Sequence, residues 1–245
     1  MFQPGKLIKD LDTVKETDSI MYCFPYAGAG ASTFRNWNKA LNSILKVCPI
    51  QLPGREERIL EKPYLDMEKL ADDIAQLILH TSNKFFLFGH SMGTKIAYEV
   101  EKRLEAKGRI TELLIVSGGR VPHISEPHPI YNLPDKEFEE GLIRFDGMPK
   151  EIIKNRQLFQ FFLPIIRADF ILDESYNSTN TKPLKCPILS LGGNEDKDGN
   201  LEEIKKWAYY TENDFNYRIF KGKHFFIKQQ EKEVLMEIKK KIVGL

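Results

Sequence analysis

The chain is expected to fold as an α/β protein, a mostly parallel sheet covered on both faces by helices. Short apolar runs rich in Val, Ile, Phe and Tyr recur along it, and segments of helical spacing lie between several of them. Strand then helix, repeated, is the pattern of a parallel sheet, because each crossover must return over a sheet face before the next strand can start. With 245 residues, 42% hydrophobic and 29% charged, the chain can bury a core of that size. A single domain spanning residues 1–245 is the expectation.

In chain order the strands are Ile20 to Phe24, Val47 to Leu52, Phe85 to Gly89, Leu113 to Ser117, Ile188 to Leu191 and Tyr217 to Phe220. The helices are Ser32 to Ile44, Asp66 to Leu79, Met92 to Lys107, Glu202 to Tyr210 and Gln229 to Ile242. Residues 120–185 break the rhythm: prolines punctuate the first half and no strand is evident, so a helical insertion is expected there. Phe138, Leu142, Phe145, Leu158, Phe159, Phe161, Phe162, Ile165, Ile166, Phe170 and Ile171 supply enough apolar surface to cover a pocket and to form a small core of their own.

Composition excludes several classes of function. Thirty-six Lys and Arg against 35 Asp and Glu leave a formal charge of +1, so no global field draws the chain to nucleic acid or anionic lipid. The clusters Lys221 to Lys223 and Lys239 to Lys241 read as solvated surface. Three cysteines, Cys23, Cys48 and Cys186, lie in or beside apolar stretches and indicate packing rather than a disulfide framework. The first 19 residues lack a signal-type apolar core and no run spans a bilayer, so a cytoplasmic protein without a membrane association is expected.

Chemistry enters at Gly89-His90-Ser91-Met92-Gly93. Gly-x-Ser-x-Gly alone is weak evidence, but here an apolar strand runs into it and a helical pattern with Ile96, Ala97, Val100 and Leu104 follows. That is the setting of a nucleophile elbow, in which small residues let strand and helix approach while a serine oxygen is thrust outward. Ser91 is therefore the candidate nucleophile of an α/β-hydrolase fold. A serine needs a base, and in this architecture the order is Ser, acid, His. Of five histidines only His224 follows the later strands, on a loop before the last helix. His90 lies inside the elbow with its side chain directed away from Ser91, and His80, His123 and His128 read as surface or lid residues. For the acid, Asp196 in Gly192-Gly193-Asn194-Glu195-Asp196 is chosen, with Glu195 and Asp198 as rivals. The oxyanion donors are the N–H of Met92 and, from the small-residue loop Pro25 to Ser32, that of Ala27. That loop lacks the Gly-x-Gly-x-x-Gly spacing and the lysine of phosphate-binding loops.

Taken together the motifs resemble those of the type II thioesterases that work beside nonribosomal peptide and polyketide synthases. Four blocks match in order: Cys23-Phe24-Pro25-Tyr26-Ala27-Gly28, Gln51-Leu52-Pro53-Gly54-Arg55-Glu56-x-Arg58, the elbow, and Phe220-x-Gly222-x-His224-Phe225-Phe226. A fifth, Leu163-Pro164-x-x-Arg167-Ala168-Asp169 with Glu174 and Tyr176, lies in the insertion, which thereby reads as a lid. Ala29 and Lys223 stand where glycines are usual, so loop shapes there can differ without loss of a reacting group. The resemblance implies hydrolysis of acyl or aminoacyl thioesters from the phosphopantetheine arm of acyl or peptidyl carrier proteins, with Ser91, Asp196 and His224 as the triad and Ala27 and Met92 at the oxyanion hole. It implies no metal or diffusible cofactor, no nucleic-acid partner and a monomer. Arg55 and Arg167 are given structural roles, joining loops or lid to body, or a contact with the carrier's phosphate. Alternatives are a medium-chain fatty acyl thioesterase, a general carboxylesterase, and a non-catalytic carrier-binding protein.

Overall fold

A computed structural model describes residues 6–144, 155–179 and 182–245. Among these residues six strands form one sheet: β1 (Ile20–Phe24), β2 (Lys46–Pro49), β3 (Phe85–His90), β4 (Leu114–Ser117), β5 (Ile188–Gly193) and β6 (Phe215–Phe220). Every pairing is parallel and the order is β2-β1-β3-β4-β5-β6. The direction of winding reverses between β1 and β3, so the loops leaving their C-terminal ends diverge and open the crevice in which such sheets bind ligands.

Both faces of β1, β3, β4 and β5 are buried, which accounts for their unbroken apolar runs, whereas the edge strand β6 is largely exposed and carries Asn216 and Arg218. Ile20, Tyr22, Phe24, Phe85, Leu87, Leu114, Val116 and Ile188 point into one core with Ile74, Ile96 and Trp207. Met21, Cys23, Phe86, Phe88, Ile115, Leu189 and Leu191 alternate with them into a second core with Trp37, Val234 and Ile238. Helices α1 (Trp37–Leu41), α2 (Met67–Leu79) and α3 (Met92–Ala106) fall on these faces, α2 packing on α3. The Asp66 carboxylate starts α2 by accepting from the N–H groups of Glu68 and Lys69 at 2.9 and 3.2 Å.

Several expected elements are shorter or divided. The strand expected over Val47 to Leu52 ends at Pro49, because Ile50 bridges to Ile8 and the Gln51 N–H is taken by the Leu7 carbonyl. The helix expected over Ser32 to Ile44 is a 3-10 turn at Ala31–Phe34 followed by the short α1. Towards the C-terminus, Glu202 to Tyr210 resolves into α6 (Leu201–Lys205) and a 3-10 turn, and Gln229 to Ile242 into α7 (Phe226–Gln229) and α8 (Glu231–Val243). Periodicity locates an apolar face but is blind to a one-residue break in the hydrogen-bond ladder.

The insertion contributes α4 (Asp135–Arg144) and α5 (Arg156–Glu174), with no named strand among its described residues. Ile130, Phe138, Leu142, Phe159, Leu163 and Phe170 form a separate small core between them, whereas Leu158 and Phe161 are exposed. Phe145 lies outside the described residues. Among the described residues no helix is long and apolar enough to cross a membrane. Cys23, Cys48 and Cys186 are buried, and burial pushes all three thiols up, Cys48 to about 12.

The elbow shows why its glycines are required. A Cβ at Gly89 would lie 2.2 Å from the Gly93 carbonyl oxygen, and one at Gly93 would lie 2.2 Å from that of Phe24. Both obstacles are backbone, so neither can swing aside. Gly93→Ala is expected to cost at least about 2–3 kcal/mol through overpacking, measured as a lower denaturant midpoint; an unchanged midpoint would contradict this account of the turn.

Candidate active site

Ser91 caps α3 with φ 54° and ψ −122°, one of three non-glycine residues with positive φ among those described. This left-handed backbone is held by the Ser91 N–H, which donates to the Ser117 carbonyl at 2.8 Å, and by the close strand–helix approach that the glycines permit. The result lifts the hydroxyl out of the sheet edge, towards the loop that follows β6.

There His224 Nε2 lies 2.9 Å from Ser91 Oγ, and His224 Nδ1 lies 3.0 Å from Asp196 Oδ2. The three side chains come from the C-terminal ends of β3, β5 and β6, so parallel strands bring together residues 28 and 133 positions apart. Of the three acids weighed from sequence, only Asp196 reaches the imidazole by hydrogen bond. Glu195 is exposed and Asp198 pairs with Arg120. Asp198 still serves the site, its N–H donating to Asp196 Oδ1 at 2.9 Å.

The electrostatics follow from these partners. Burial disfavours charge on Asp196, but the His224 imidazole and the N–H groups of Asp198 and Gly199 outweigh it and hold the carboxyl below the usual carboxylate range. Burial acts on His224 too, yet the hydrogen bond and charge of Asp196 dominate and raise the imidazole above its ordinary value. His90 differs. It is fully buried with Nδ1 2.9 Å from Ser117 Oγ, and burial drives its pKa well below 6.5, so it packs beneath His224 as a neutral ring.

The cavity above Ser91 has a volume of about 560 Å³. Its floor includes Ser91, His224 and the loop from Tyr26 to Gly30; Phe162, Ile165, Ile166 and Phe170 of α5 form an apolar roof. Ala27 sits on that loop and Met92 is the first residue of α3, and the loop and the helix flank the serine. The remaining histidines lie away from this chemistry: His80 bonds the Gln76 carbonyl at 2.6 Å and His123 stacks on Tyr210.

Among the described residues four cations line the cavity, and three have ion pairs. Arg55 holds Asp169 through two bonds of 2.6 and 2.7 Å, Lys95 holds Asp173 at 2.8 Å, and Arg120 bonds Glu126 and Asp198. The fourth, Lys228, lies over the rings of Tyr26 and Phe225 at 4.9 and 5.2 Å from their centroids. Arg167 points elsewhere, donating to the carbonyls of Tyr131 and Leu133 at 2.6 and 2.7 Å and to Asp135. Arg55 thus joins the insertion to the body, and Arg167 joins two parts of the insertion. Sequence reading left Asp169, Asp173 and Lys95 without a role. The motif Leu163-Pro164-x-x-Arg167-Ala168-Asp169 carries a signal for the first only.

Comparison with known proteins identifies the family. Residues 19–242 match the thioesterase domain family. The chain belongs to that family. The thioesterase-domain chain is 33% identical to linear gramicidin dehydrogenase LgrE of Brevibacillus parabrevis over 95% of its own length and 90% of that relative. It is 34% identical to gramicidin S biosynthesis protein GrsT of Aneurinibacillus migulanus over 88% of its length and 85% of that protein. Among solved structures, the RedJ thioesterase of the prodiginine pathway in Streptomyces coelicolor superimposes with a TM-score of 0.85 at 33% identity, covering 91% of this chain and 85% of that one. The fold is therefore that of the thioesterase α/β-hydrolases, and the protein is a thioester hydrolase.

Proposed function

We propose that this thioesterase removes acyl or aminoacyl groups from the phosphopantetheine arm of carrier domains in a nonribosomal peptide or polyketide assembly line, using Ser91, His224 and Asp196. The observation that carries the mechanism is the unbroken relay from Ser91 Oγ to His224 Nε2 at 2.9 Å and from His224 Nδ1 to Asp196 at 3.0 Å. Ser91 Oγ attacks the thioester carbonyl carbon as His224 takes its proton, and the N–H groups of Ala27 and Met92 hold the oxyanion. The carbon–sulfur bond breaks and the thiol leaves with the proton from His224. A water molecule then attacks the acyl-enzyme, His224 accepts its proton, and Ser91 is released protonated with the free acid. Thioester and water are the reactants this scheme consumes, and no metal or diffusible cofactor enters it.

The assembly-line setting is supported by GrsT and RedJ, whose names place them in gramicidin S and prodiginine biosynthesis. LgrE is named a dehydrogenase. In this chain Thr33 stands where a dinucleotide-binding loop starting at Gly28 would need its third glycine, which favours hydrolysis over hydride transfer. A soluble monomeric enzyme acting in the cytoplasm fits this reading. The test is hydrolysis of acetyl, aminoacyl and longer acyl groups loaded on one carrier domain, against matched oxygen esters. Turnover of carrier thioesters well above that of oxygen esters is expected. Preference for oxygen esters would point to a carboxylesterase, and preference for long over short chains to a fatty acyl thioesterase.

The base must be neutral to accept a proton, and His224 is raised by Asp196. Activity is therefore lost as pH falls through a value above 6.5, and kcat/KM against pH should show its acid limb there. Asp196→Ala removes the raising partner and leaves burial, so the limb of the residual activity should move down. A limb that stays in place would deny the pairing its electrostatic role.

A further inference from the structure

We infer that Asp169, on the lid helix α5, is a positioning residue for the oxyanion hole: it fixes the turn that aims the Ala27 N–H. The inference rests on the Ser91 mechanism above and adds a residue to it that touches no substrate.

The turn spans Tyr26 to Ala29, closed by the Ala29 N–H donating to the Tyr26 carbonyl at 3.0 Å, with Gly28 at φ +78°. Positive φ at the third residue is the type II arrangement, whose central peptide is flipped relative to the commoner type I turn. That central peptide is pinned here from outside. The Gly28 N–H donates to Asp169 Oδ2 at 2.7 Å, and Arg55 Nη1 bridges the same oxygen at 2.6 Å to the Ala29 carbonyl at 3.0 Å. Arg55 Nη2 occupies the other carboxylate oxygen at 2.7 Å. With the closing bond made and the middle peptide anchored, the Ala27 N–H that opens the turn keeps one direction. Preorganised donors of this kind stabilise a developing oxyanion because they need no reorientation during the reaction.

Asp169 is 1% exposed and does not line the cavity, so it acts through the turn. Its helix also reaches the other donor. One helical turn on, Asp173 accepts from Lys95 Nζ through its carbonyl at 2.6 Å and its carboxylate at 2.8 Å, and Lys95 lies one turn after Ser91 on α3, the helix that Met92 begins. The C-terminal half of α5 therefore ties together the two elements that carry the oxyanion donors, which makes it part of the catalytic frame. Pro164 has no N–H to donate and so interrupts the helical hydrogen bonding before that half starts, leaving Phe162 of the roof on the far side of the break and Ile165, Ile166 and Phe170 on the side of the frame.

The experiment compares wild type, Asp169→Ala, Asp169→Asn and Ser91→Ala on an acyl-pantetheine thioester. Each protein is also titrated with two analogues, a trifluoromethyl ketone that Ser91 converts to a tetrahedral adduct and a thioether that it cannot attack. Asp169→Ala should lower kcat roughly 100-fold with KM within about 3-fold, and weaken the ketone in parallel while leaving the thioether unchanged. Asp169→Asn keeps an acceptor for the Gly28 N–H and should lose only about 10-fold in kcat. If Asp169→Ala fails to fold, the double variant Asp169→Asn with Arg55→Gln, which buries no unpaired charge, is measured instead; weakening of ketone and kcat together supports the role. Unchanged kcat and ketone affinity, or equal weakening of ketone and thioether, overturns it. Full activity in Ser91→Ala would instead overturn the parent mechanism, whatever the Asp169 variants do.

Discussion

Ser91→Ala should lower kcat for thioester hydrolysis by about four orders of magnitude or more, with the fold and substrate affinity kept. The size of the effect follows from what the side chain does. In the proposed mechanism its oxygen is the atom that forms the acyl-enzyme, and it is the hydroxyl that faces the base: His224 Nε2 lies 2.9 Å away, whereas the hydroxyl of Ser32, which also lines the cavity, is bound to Glu56 Oε1 at 2.6 Å. The change removes one oxygen from a residue whose backbone strain is borne by the surrounding strand and helix, so stability should move little or rise slightly. Two measurements check this. Single-turnover hydrolysis of an acyl thioester should disappear, and so should covalent labelling by a fluorophosphonate. Retention of hydrolysis at wild-type rate would show that the relay is not the reaction centre.

Asp196→Asn is the second large effect, expected at about 10⁴-fold in kcat with little change in KM. The imidazole needs an acceptor at Nδ1 so that Nε2 is free to take the serine proton. Asp196 supplies that acceptor at 3.0 Å and is itself oriented by the Asp198 N–H at 2.9 Å. An asparagine amide can turn an N–H toward Nδ1 and select the wrong tautomer. Asp198→Asn provides the contrast. That carboxylate pairs with Arg120, and its contribution to the relay is a backbone N–H that survives the substitution, so a loss below about 10-fold is expected. Equal losses in the two variants would mean that the acid's role is shared.

Much of this site was legible in the chain because its signals are local. The elbow is a contiguous sequence whose glycines answer to contacts of 2.2 Å, and such a requirement marks the sequence at the position where it acts. His224 was legible for a related reason: the order of strands restricts which loops reach the serine, and one histidine lay beyond the later strands. The strands themselves could be read because burial on both faces leaves runs such as Phe85-Phe86-Leu87-Phe88 with no polar alternation to confuse. Their ends were less clear. Pro49 and the bridge from Ile8 to Ile50 cut β2 short, through a partner that local periodicity cannot see.

The choice among Glu195, Asp196 and Asp198 belonged to tertiary structure, since three carboxylates within four positions differ only in where the folded loop points them. The same holds for Arg55 and Arg167, whose charges in the sequence suit a phosphate as well as a carboxylate; folding places one on Asp169 and the other on lid carbonyls. Asp169 lies 141 residues from the Gly28 N–H it accepts. No local pattern encodes a contact at that separation. The sequence by itself determined the parallel sheet, the serine in its strained turn and the histidine that follows, because steric and periodic constraints act on neighbours in the chain. Which acid turns inward, which cations are already paired and how α5 reaches the Tyr26–Ala29 turn were decided only by the packing of distant segments, where direction and distance have no image in composition or spacing.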